Sequence, residues 1–333
     1  MNKIISFVIP AYKPKSETLT RLVKSITVAG LNKDEYEIII VNDCPEEKEY
    51  HDMIQDIIKR FDSYNIVYLE NSKNSGIFES RRNGVEHATG SYILFADSDD
   101  YFVVNGLSGF NRLPKYDIIQ LGFKMLGDED VYEKEYVNRL SDKNDMPTVI
   151  NSNVYDQLLL NRDLGDDCVW NYLYGSWAML LKRDVLLKTY SEIPHIYCSY
   201  LEDHLLMRLL ALKATSYINC HTHDVYRYDR SNDSTTHYTN KLNLHKIKRL
   251  CSEKEVYPIL KNYEYFKTNK NHLNELDTYY NYNIPQHIYS LIFGIYGPGV
   301  EENSLEEAKR LFISSFGKDT FDKLSLETSK NKE

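Results

Sequence analysis

The sequence predicts an α/β protein, with a Rossmann-like, mostly parallel sheet flanked by helices and a helical C-terminal extension. Three observations lead there. Through roughly the first 100 residues, short β-branched apolar runs alternate with amphipathic segments. Each run ends in polar, turn-forming residues. From about residue 240 onward, helical periodicity alone remains.

The first run, IISFVI (4–9), is short and continuous, as in a strand buried on both faces. Pro10 is expected to stop it. A helix follows over about 16–29, where Leu19, Leu22, Val23 and Ile26 recur at helical spacing and Gly30 supplies the stop. YEIIIV (36–41) is the second strand, and the next helix carries Tyr50, Met53, Ile54, Ile57, Ile58 and Phe61 on one face. NIVYL (65–69) is the third strand, GIFESRRNGVEHATG (76–90) the third helix and YILFA (92–96) the fourth strand. Such repeats imply right-handed crossovers and a parallel sheet, whose ligands bind beyond the carboxyl ends of the strands. The informative residues are therefore PAYKP, NDCPEE, ENSKNSG and DSDD, which follow the four strands in turn.

Beyond residue 103 the pattern loosens. YDIIQLGFKM is expected to be a strand, 127–150 a charged stretch with a hairpin around VYEKEYV, and VWNYLYGSWAMLLKRDVLLKTY a mixture of aromatics with a short helix. LEDHLLMRLLALKA reads as a helix, and INCHTHDVYRYDRSNDSTTHYT as a strand followed by a polar loop. Helix is expected from about 240 to near 316, interrupted at GPG (297–299), with ETSKNKE as a frayed tail. The main domain is drawn over 1–238, its halves meeting at 103/104, and a helical region over 239–333.

A chain of 333 residues can bury a substantial core. Apolar content of 42% and charged content of 27% are those of a soluble globular protein. A net charge of −9 argues against nucleic acid as a partner, because phosphate binding needs a basic face. Cys44, Cys168, Cys198, Cys220 and Cys251 are odd in number and lack CxxC spacing; reduced thiols in a cytoplasmic protein are expected. MNKIISFVIPAY lacks the features of a signal peptide, and no segment reaches about 18 uninterrupted apolar residues, so no membrane span is expected.

YILFADSDDYF (92–102) poses a physical problem, because an apolar run ends in Asp97-Ser98-Asp99-Asp100. Two like charges about 4 Å apart cost roughly 4 kcal/mol at an effective dielectric of 20. Asp and Ser often serve merely as turn and cap residues. A divalent cation would remove the penalty. Carboxylate oxygens suit Mg²⁺ or Mn²⁺, and an ion held by one or two of them keeps positions open for a ligand's phosphates.

Taken in order, SFVIPAYKP, IIIVNDCPEE, NSGIFESRRNGVEHATGSYILFADSDDYF, YGSWAMLLKRDVL, LEDHLL and YRYDRSNDSTTH resemble the family 2 glycosyltransferases of the GT-A fold. The resemblance is close over 4–101 and continues through landmarks to about residue 240. It implies a nucleotide-binding half over 1–103 and an acceptor-binding half over 104–238. Pro10, Ala11 and Tyr12 would shape the nucleotide pocket, Asp43 would accept the N3–H of uracil, and Arg81 would approach the nucleotide. Asp97, with Ser98 beside it, would contact ribose or the donor sugar, and Asp99 would bind the metal bridging the diphosphate. Asp203 is the base implied for the acceptor hydroxyl, paired with Glu202; the same residues also suit a helix N-terminus. One base opposite the leaving group implies inversion. The resemblance further implies a UDP-sugar donor, Mn²⁺ or Mg²⁺ as cofactor, and a glycan or lipid-linked acceptor in bacterial surface polysaccharide synthesis. Two departures stand out: Asn42 replaces a commoner Asp, and Arg82 a commoner Asn.

Weaker signals follow. Trp170, Tyr172, Tyr174 and Trp177 are core aromatics or an acceptor platform, Trp177 being favoured for the platform. On a regular strand His221 and His223 would share a face, but no partner spacing completes a zinc site. In YDRSNDSTTH, Arg230 would touch the diphosphate and His237 would supply a metal ligand. KLNLHKIKRL (241–250) is a basic amphipathic patch, either a solvated helix face or a peripheral contact with the inner face of an anionic membrane. The Tyr-rich C-terminal helices are expected either to cover the catalytic half or to form a homodimer interface. Alternatives are a sugar nucleotidylyltransferase, which should carry a Gly-rich loop that PAYKPKSE lacks, and an inactive sugar-nucleotide-binding module. No GxGxxG turn supports a dehydrogenase.

Overall fold

The computed structural model describes residues 3–110, 115–126, 149–156, 176–229, 241–293 and 299–330. Contacts divide the chain into two compact units, one of Met1–His195 with Asp203–Asn232, the other of Ile196–Glu202 with Asp233–Glu333.

The first unit is built on one sheet. Strands β1 (Ile5–Ala11), β2 (Tyr36–Asn42), β3 (Ile66–Glu70) and β4 (Tyr92–Phe95) alternate with helices α1 (Ser16–Thr27), α2 (Lys48–Arg60) and α3 (Ile77–His87). β3, β2, β1 and β4 lie side by side in that order, all parallel, so the chain order reverses between β1 and β4. A reversal of this kind opens a crevice at the carboxyl ends of the two strands. The other half adds β5 (Tyr101–Phe102), β6 (Ile118–Leu126), β7 (Val149–Ile150), β8 (Met179–Lys182) and β9 (Tyr217–Asp229). Here antiparallel pairs enter: β8 runs against β4 and β6, and β9 against β5 and β7, while β6 and β9 are parallel.

The apolar periodicity of α1 is used as expected, with Leu19, Leu22, Val23 and Ile26 buried against the sheet. On α2, Ile54 and Ile57 are fully buried, with Met53, Ile58 and Phe61 partly so. Helix α3 approaches β1 so closely that a Cβ on Gly84 would lie 2.3 Å from Val8 Cγ1. That glycine sets how near α3 sits to the sheet.

Three expectations are corrected. Pro10 does not end β1, which runs on to Ala11 and pairs with β2 throughout. Val8 bonds toward β4, so two residues on, the nitrogen of Pro10 faces the same side, where pairing with β4 has already ended. The missing N–H therefore costs no ladder bond. The stretch MLLKRDVLLKTYS is a strand, β8, running directly into α4 (Arg183–Ser191), where the sequence suggested only a short helix. Finally, β9 is not regular across its histidines. The register passes from Leu121↔Cys220 to Gly122↔Asp224, so residues 221–223 fall in an irregularity of the β6–β9 pairing.

In the second unit, helices Leu244–Cys251, Ile284–Phe293, Leu305–Phe316 and Lys318–Lys330 gather a core around Leu242, Ile247, Leu250, Ile288, Ile292 and Phe312. The tail expected to fray is helical as far as Lys330, because Phe321 and Leu324 dock into that core. Ile247, Leu250 and Cys251 are buried in it as well. The apolar side of the basic KLNLHKIKRL helix is thus spent on protein packing and is not available to lipid.

Candidate functional site

The residues that follow β1, β2 and β4 all lie at the carboxyl end of the parallel sheet, where the chain order reverses between β1 and β4. Pro10 and Ala11 are buried in β1; Tyr12 stands in the turn beyond, 36% exposed, with the Lys13 ammonium 5.7 Å from its ring centre. Next to it, past β2, Asp43 is buried and fully engaged. Its Oδ1 accepts from Asn71 Nδ2 at 2.7 Å and from the Ser75 amide at 2.8 Å, and its Oδ2 accepts from the Gly76 amide at 2.9 Å. Burial pushes its pKa up, and these donors oppose the shift. The Ser80 side chain adds a fourth such donor, and a carboxylate offers about four acceptor positions.

Asn42 does not join this pocket. Its amide nitrogen donates to Tyr68 Oη at 3.1 Å and Glu70 Oε2 at 3.0 Å, and its oxygen accepts from the Cys44 amide. The departure at this position therefore tightens the β2–β3 edge. An aspartate would instead set a second negative charge against Glu70.

The four residues after β4 divide their labour. Asp100 is fully buried: Tyr226 donates its hydroxyl to Oδ2 at 2.5 Å, and the Asp229 amide donates to Oδ1 at 2.8 Å. Burial and the neighbouring Asp97 and Asp99 push its pKa well up. It belongs to the wall of the site. Asp97 keeps 25% of its side chain exposed, and its Oδ1 accepts from Arg81 Nη2 at 3.0 Å. Burial raises its pKa against the pull of Arg81, and Asp203 adds to the rise. Ser98 and Asp99 form the partly exposed tip of the turn. The Asp99 carboxyl is pushed up to about 6, first by burial and then by Asp97.

Arg81 joins the turn after β4 to the start of a later helix. Projecting from α3 and only 2% exposed, it donates from Nη2 to Asp97 and from Nη1 to Asp203 Oδ1 at 2.8 Å, its guanidinium 5.4 Å from the centre of the Phe95 ring. Asp203 lies in the first turn of α5 (Glu202–Lys213), one residue past the helix start, and is 16% exposed. Glu202 is buried, and its nearby charge helps to raise the Cys198 thiol pKa, after burial itself. Arg82, one residue on from Arg81, turns elsewhere: it donates to the carbonyls of Ile193 and Pro194 at 3.1 Å each and lies 3.4 Å from Glu79. Trp177 is partly buried where it bridges to Phe95, stacked on Tyr226 and Tyr228 with ring centres 5.8 and 5.0 Å away. Its stacking faces are thus partly occupied by the protein's own tyrosines.

The structure brings Asp97, Arg81 and Asp203 together and sets Asp99 beside them. Arg230, His237, Trp170, Tyr172 and Tyr174, together with the 131–137 hairpin, lie outside the described residues. Three participants were missed in the sequence: Arg21, Tyr226 and Asp229. Arg21 donates to the Asp99 carbonyl and to Asp229 Oδ2, the latter at 2.7 Å. On α1 it reads as an ordinary polar-face charge, and no local pattern marks it. Asp229 carried a weak signal, an acid at the carboxyl end of a strand.

The acidic turn suits a hard divalent cation. Among the described residues, no three acidic, histidine or cysteine side chains form a ready cage. Asp99 nevertheless presents carboxylate oxygens in surroundings that penalise their charge. That donor set matches an ion taking most of its ligands from a bound diphosphate and water.

Residues 6–109 match the model of glycosyl transferase family 2. An uncharacterized glycosyltransferase of Haemophilus influenzae is 30% identical over 100 residues, covering 30% of this chain and 31% of its own length. The poly(ribitol-phosphate) beta-glucosyltransferase of Bacillus spizizenii is 36% identical over 98 residues, covering 29% of this chain and 15% of its own. The chain thus spans less than a third of the length of these relatives. In fold it resembles S. aureus TarS 1-349, solved with UDP-GlcNAc, with a TM-score of 0.59 at 16% identity over 94% of this chain and 81% of that one.

Proposed function

We propose that the chain is an inverting glycosyltransferase of family 2, on the match of residues 6–109 to that family's model and the fold shared with TarS. It moves a sugar from a UDP-sugar to a hydroxyl of a glycan or lipid-linked acceptor. Relatives named for poly(ribitol-phosphate) and teichuronic acid synthesis support a role in bacterial surface polysaccharide. Residues 1–103 are assigned to the nucleotide and 104–238 to the acceptor. Among the described residues no helix is long and apolar enough to cross a membrane; we assign the enzyme to the cytoplasmic side, where a peripheral membrane contact of the basic helix face would be electrostatic only.

The observation that carries this reading is the single Arg81 guanidinium held between Asp97 and Asp203. It fixes a donor-side and an acceptor-side carboxylate at one point of the crevice, which displacement of a leaving group by an acceptor hydroxyl requires. Tyr12 and Asp43 face the nucleotide base, Pro10 and Ala11 shape its floor, and Asp97 with Ser98 holds ribose or sugar. Asp203 Oδ1 is engaged by Arg81, so Oδ2 is the oxygen that takes the proton from the acceptor. Trp177 offers its open edge to the acceptor. Asp99 would hold Mn²⁺ or Mg²⁺, with Arg230 and His237 as further contacts. Bound there, the ion would neutralise charge on the departing diphosphate.

The test is a UDP-sugar panel with and without Mn²⁺. Asp203→Asn is expected to bind UDP as the native chain does and to lose about 10²–10⁴-fold in transfer, the usual contribution of a positioned base. Normal transfer by this variant would remove Asp203 from the role. Absence of both transfer and donor hydrolysis across the whole panel would favour a sugar-nucleotide-binding module instead.

A further inference from the structure

The turn after β4 is anchored from outside the DSDD motif, by Arg21 on α1. The side chain of Arg21 reaches past Tyr101, whose ring centre lies 4.5 Å from the guanidinium carbon, and is 39% exposed. Its Nη2 donates both to the backbone carbonyl of Asp99 and to Asp229 Oδ2. Asp229 ends β9, and its side chain is nearly buried. The same residue donates its amide to Asp100 Oδ1 at 2.8 Å, and Tyr226, three residues earlier, donates its hydroxyl to Asp100 Oδ2. The Tyr226 hydroxyl also accepts from the Asp97 amide at 3.2 Å. The turn is therefore held at Asp97, Asp99 and Asp100 by groups on two other elements. The Asp99 carboxylate is left pointing from a fixed backbone, bonded to its own amide.

We propose that Arg21 is a positioning residue for a divalent cation at Asp99: anchored by Asp229, it holds the Asp99 backbone so that the carboxylate is presented to the ion. This rests on the reading of Asp99 as the metal-binding residue. Arg21 does not itself touch the ion, since a guanidinium has no lone pair to offer. It acts as partners beyond the ligating atoms do, by orientation, and loss of such partners typically weakens metal affinity about 10–100-fold. The Arg21 fork also matters for its shape. One planar NH₂ serving a carbonyl and a carboxylate while the plane lies against a ring is a geometry that lysine reproduces poorly.

The experiment is a Mn²⁺ titration followed by electron paramagnetic resonance of the free ion, on the full chain saturated with UDP. UDP affinity without metal is measured in parallel by calorimetry. Arg21→Ala is expected to weaken Mn²⁺ binding at least tenfold while metal-free UDP affinity changes less than about twofold. Arg21→Lys should fall between them, and Asp229→Asn, which loosens the anchor, should weaken Mn²⁺ binding by a smaller factor. Should Arg21→Ala not fold, the lysine and Asp229 variants carry the test. Native Mn²⁺ affinity in the Arg21 variants, with binding lost in Asp99→Ala, would overturn the positioning role alone. Native Mn²⁺ affinity in Asp99→Ala would overturn the reading of Asp99, and the role of Arg21 with it.

Discussion

Asp43 and Asp99 both follow a parallel strand at the same end of one sheet, yet their surroundings are opposites. Asp43 is a negative charge enclosed in neutral dipoles: two backbone amides and one side-chain amide point at it. It holds the 71–76 loop in place. Asp99 shares its turn with Asp97 and Asp100; its own amide and the charge of Arg21 oppose the shift, yet its pKa is pushed up to about 6. Burial raises the pKa of both carboxyls, and at Asp43 donors from the fold oppose the shift. Asp99 is left in deficit, and a deficit of negative-charge stabilisation is what a cation fills. The contrast separates a carboxylate enclosed by donors from one crowded by other acids without any reference to sequence motifs.

The comparison can be broken most forcefully at Arg81. Arg81→Ala leaves Asp97 and Asp203 facing each other without their shared cation. Removing one partner of a buried ion pair typically costs about 3–5 kcal/mol, so chemical denaturation should show a loss of that size. Transfer should disappear even at temperatures where the variant remains folded. A variant of near-native stability would mean that the two carboxylates do not depend on Arg81.

Asp43→Ala tests the other side. It strands the Ser75 amide, at roughly 1–3 kcal/mol for an unsatisfied buried donor, and removes one bond each from the Gly76 amide and the Asn71 side chain, which keep Asn74 Oδ1 and Ser80 Oγ. A total loss of about 2–4 kcal/mol is expected, insensitive to Mn²⁺. Stability that Mn²⁺ restores would place Asp43 among the metal-linked groups and erase the contrast.

A pH series sharpens it further. The Asp99 carboxyl ionises in the folded chain only near pH 6, above the ordinary 3.8. The stability tied to its proton is complete below about 3.8 and is lost as pH rises through about 6. The Tm of metal-free protein should therefore climb as pH falls from 7 to 5. Asp99→Asn should reduce that climb, and Mn²⁺ should raise the Tm most at pH 7. An undiminished climb in Asp99→Asn would locate the titration elsewhere in the turn. Glu37, whose pKa is lowered despite burial by donors from Ser6 and Thr89, runs the opposite way. Its stability is present above its ordinary 4.5 and is lost only below that, outside this window.

The smallest effect belongs to the sheet edge. Asn42→Asp sets a carboxylate against Glu70 in place of an amide donor, at a cost of about 1 kcal/mol. Donor specificity should not change, because Asn42 bonds Tyr68, Glu70 and the Cys44 amide, none of them part of the Asp43 pocket. A changed preference among nucleotides would show that this position reaches the base after all.

Much of the first half of the molecule was legible beforehand. Its strands are short apolar runs, each followed by an amphipathic helix, and local pattern suffices for crossovers of that kind. The second half resisted, for a definable reason. In AMLLKRDVLL the apolar residues fit a strand and a helix equally well, and β8 exists because β4 and β6 offer it an antiparallel slot. Pro10 misled because a proline's cost depends on which neighbour its nitrogen faces, and strand order decides that. Of the site, the acids of DSDD stood out by type and position, whereas Asp203 came from the resemblance alone. That Arg81 bridges Asp97 and Asp203 while Arg82 turns away to the carbonyls of Ile193 and Pro194 was not readable. Adjacent helical residues point about 100° apart, and which direction meets a carboxylate depends on how α3 sits on β1.

The sequence alone determined the alternation of strands and helices, the burial of their apolar faces and the crowding of acids at the end of the fourth strand, because each follows from residues close together in the chain. Only the tertiary structure decided which acid is enclosed by hydrogen-bond donors and which is crowded by other acids. The energy of a charge is set by the dipoles and charges around it, and here those arrive from α1, α3, α5 and β9, brought near by the fold and far apart in the chain.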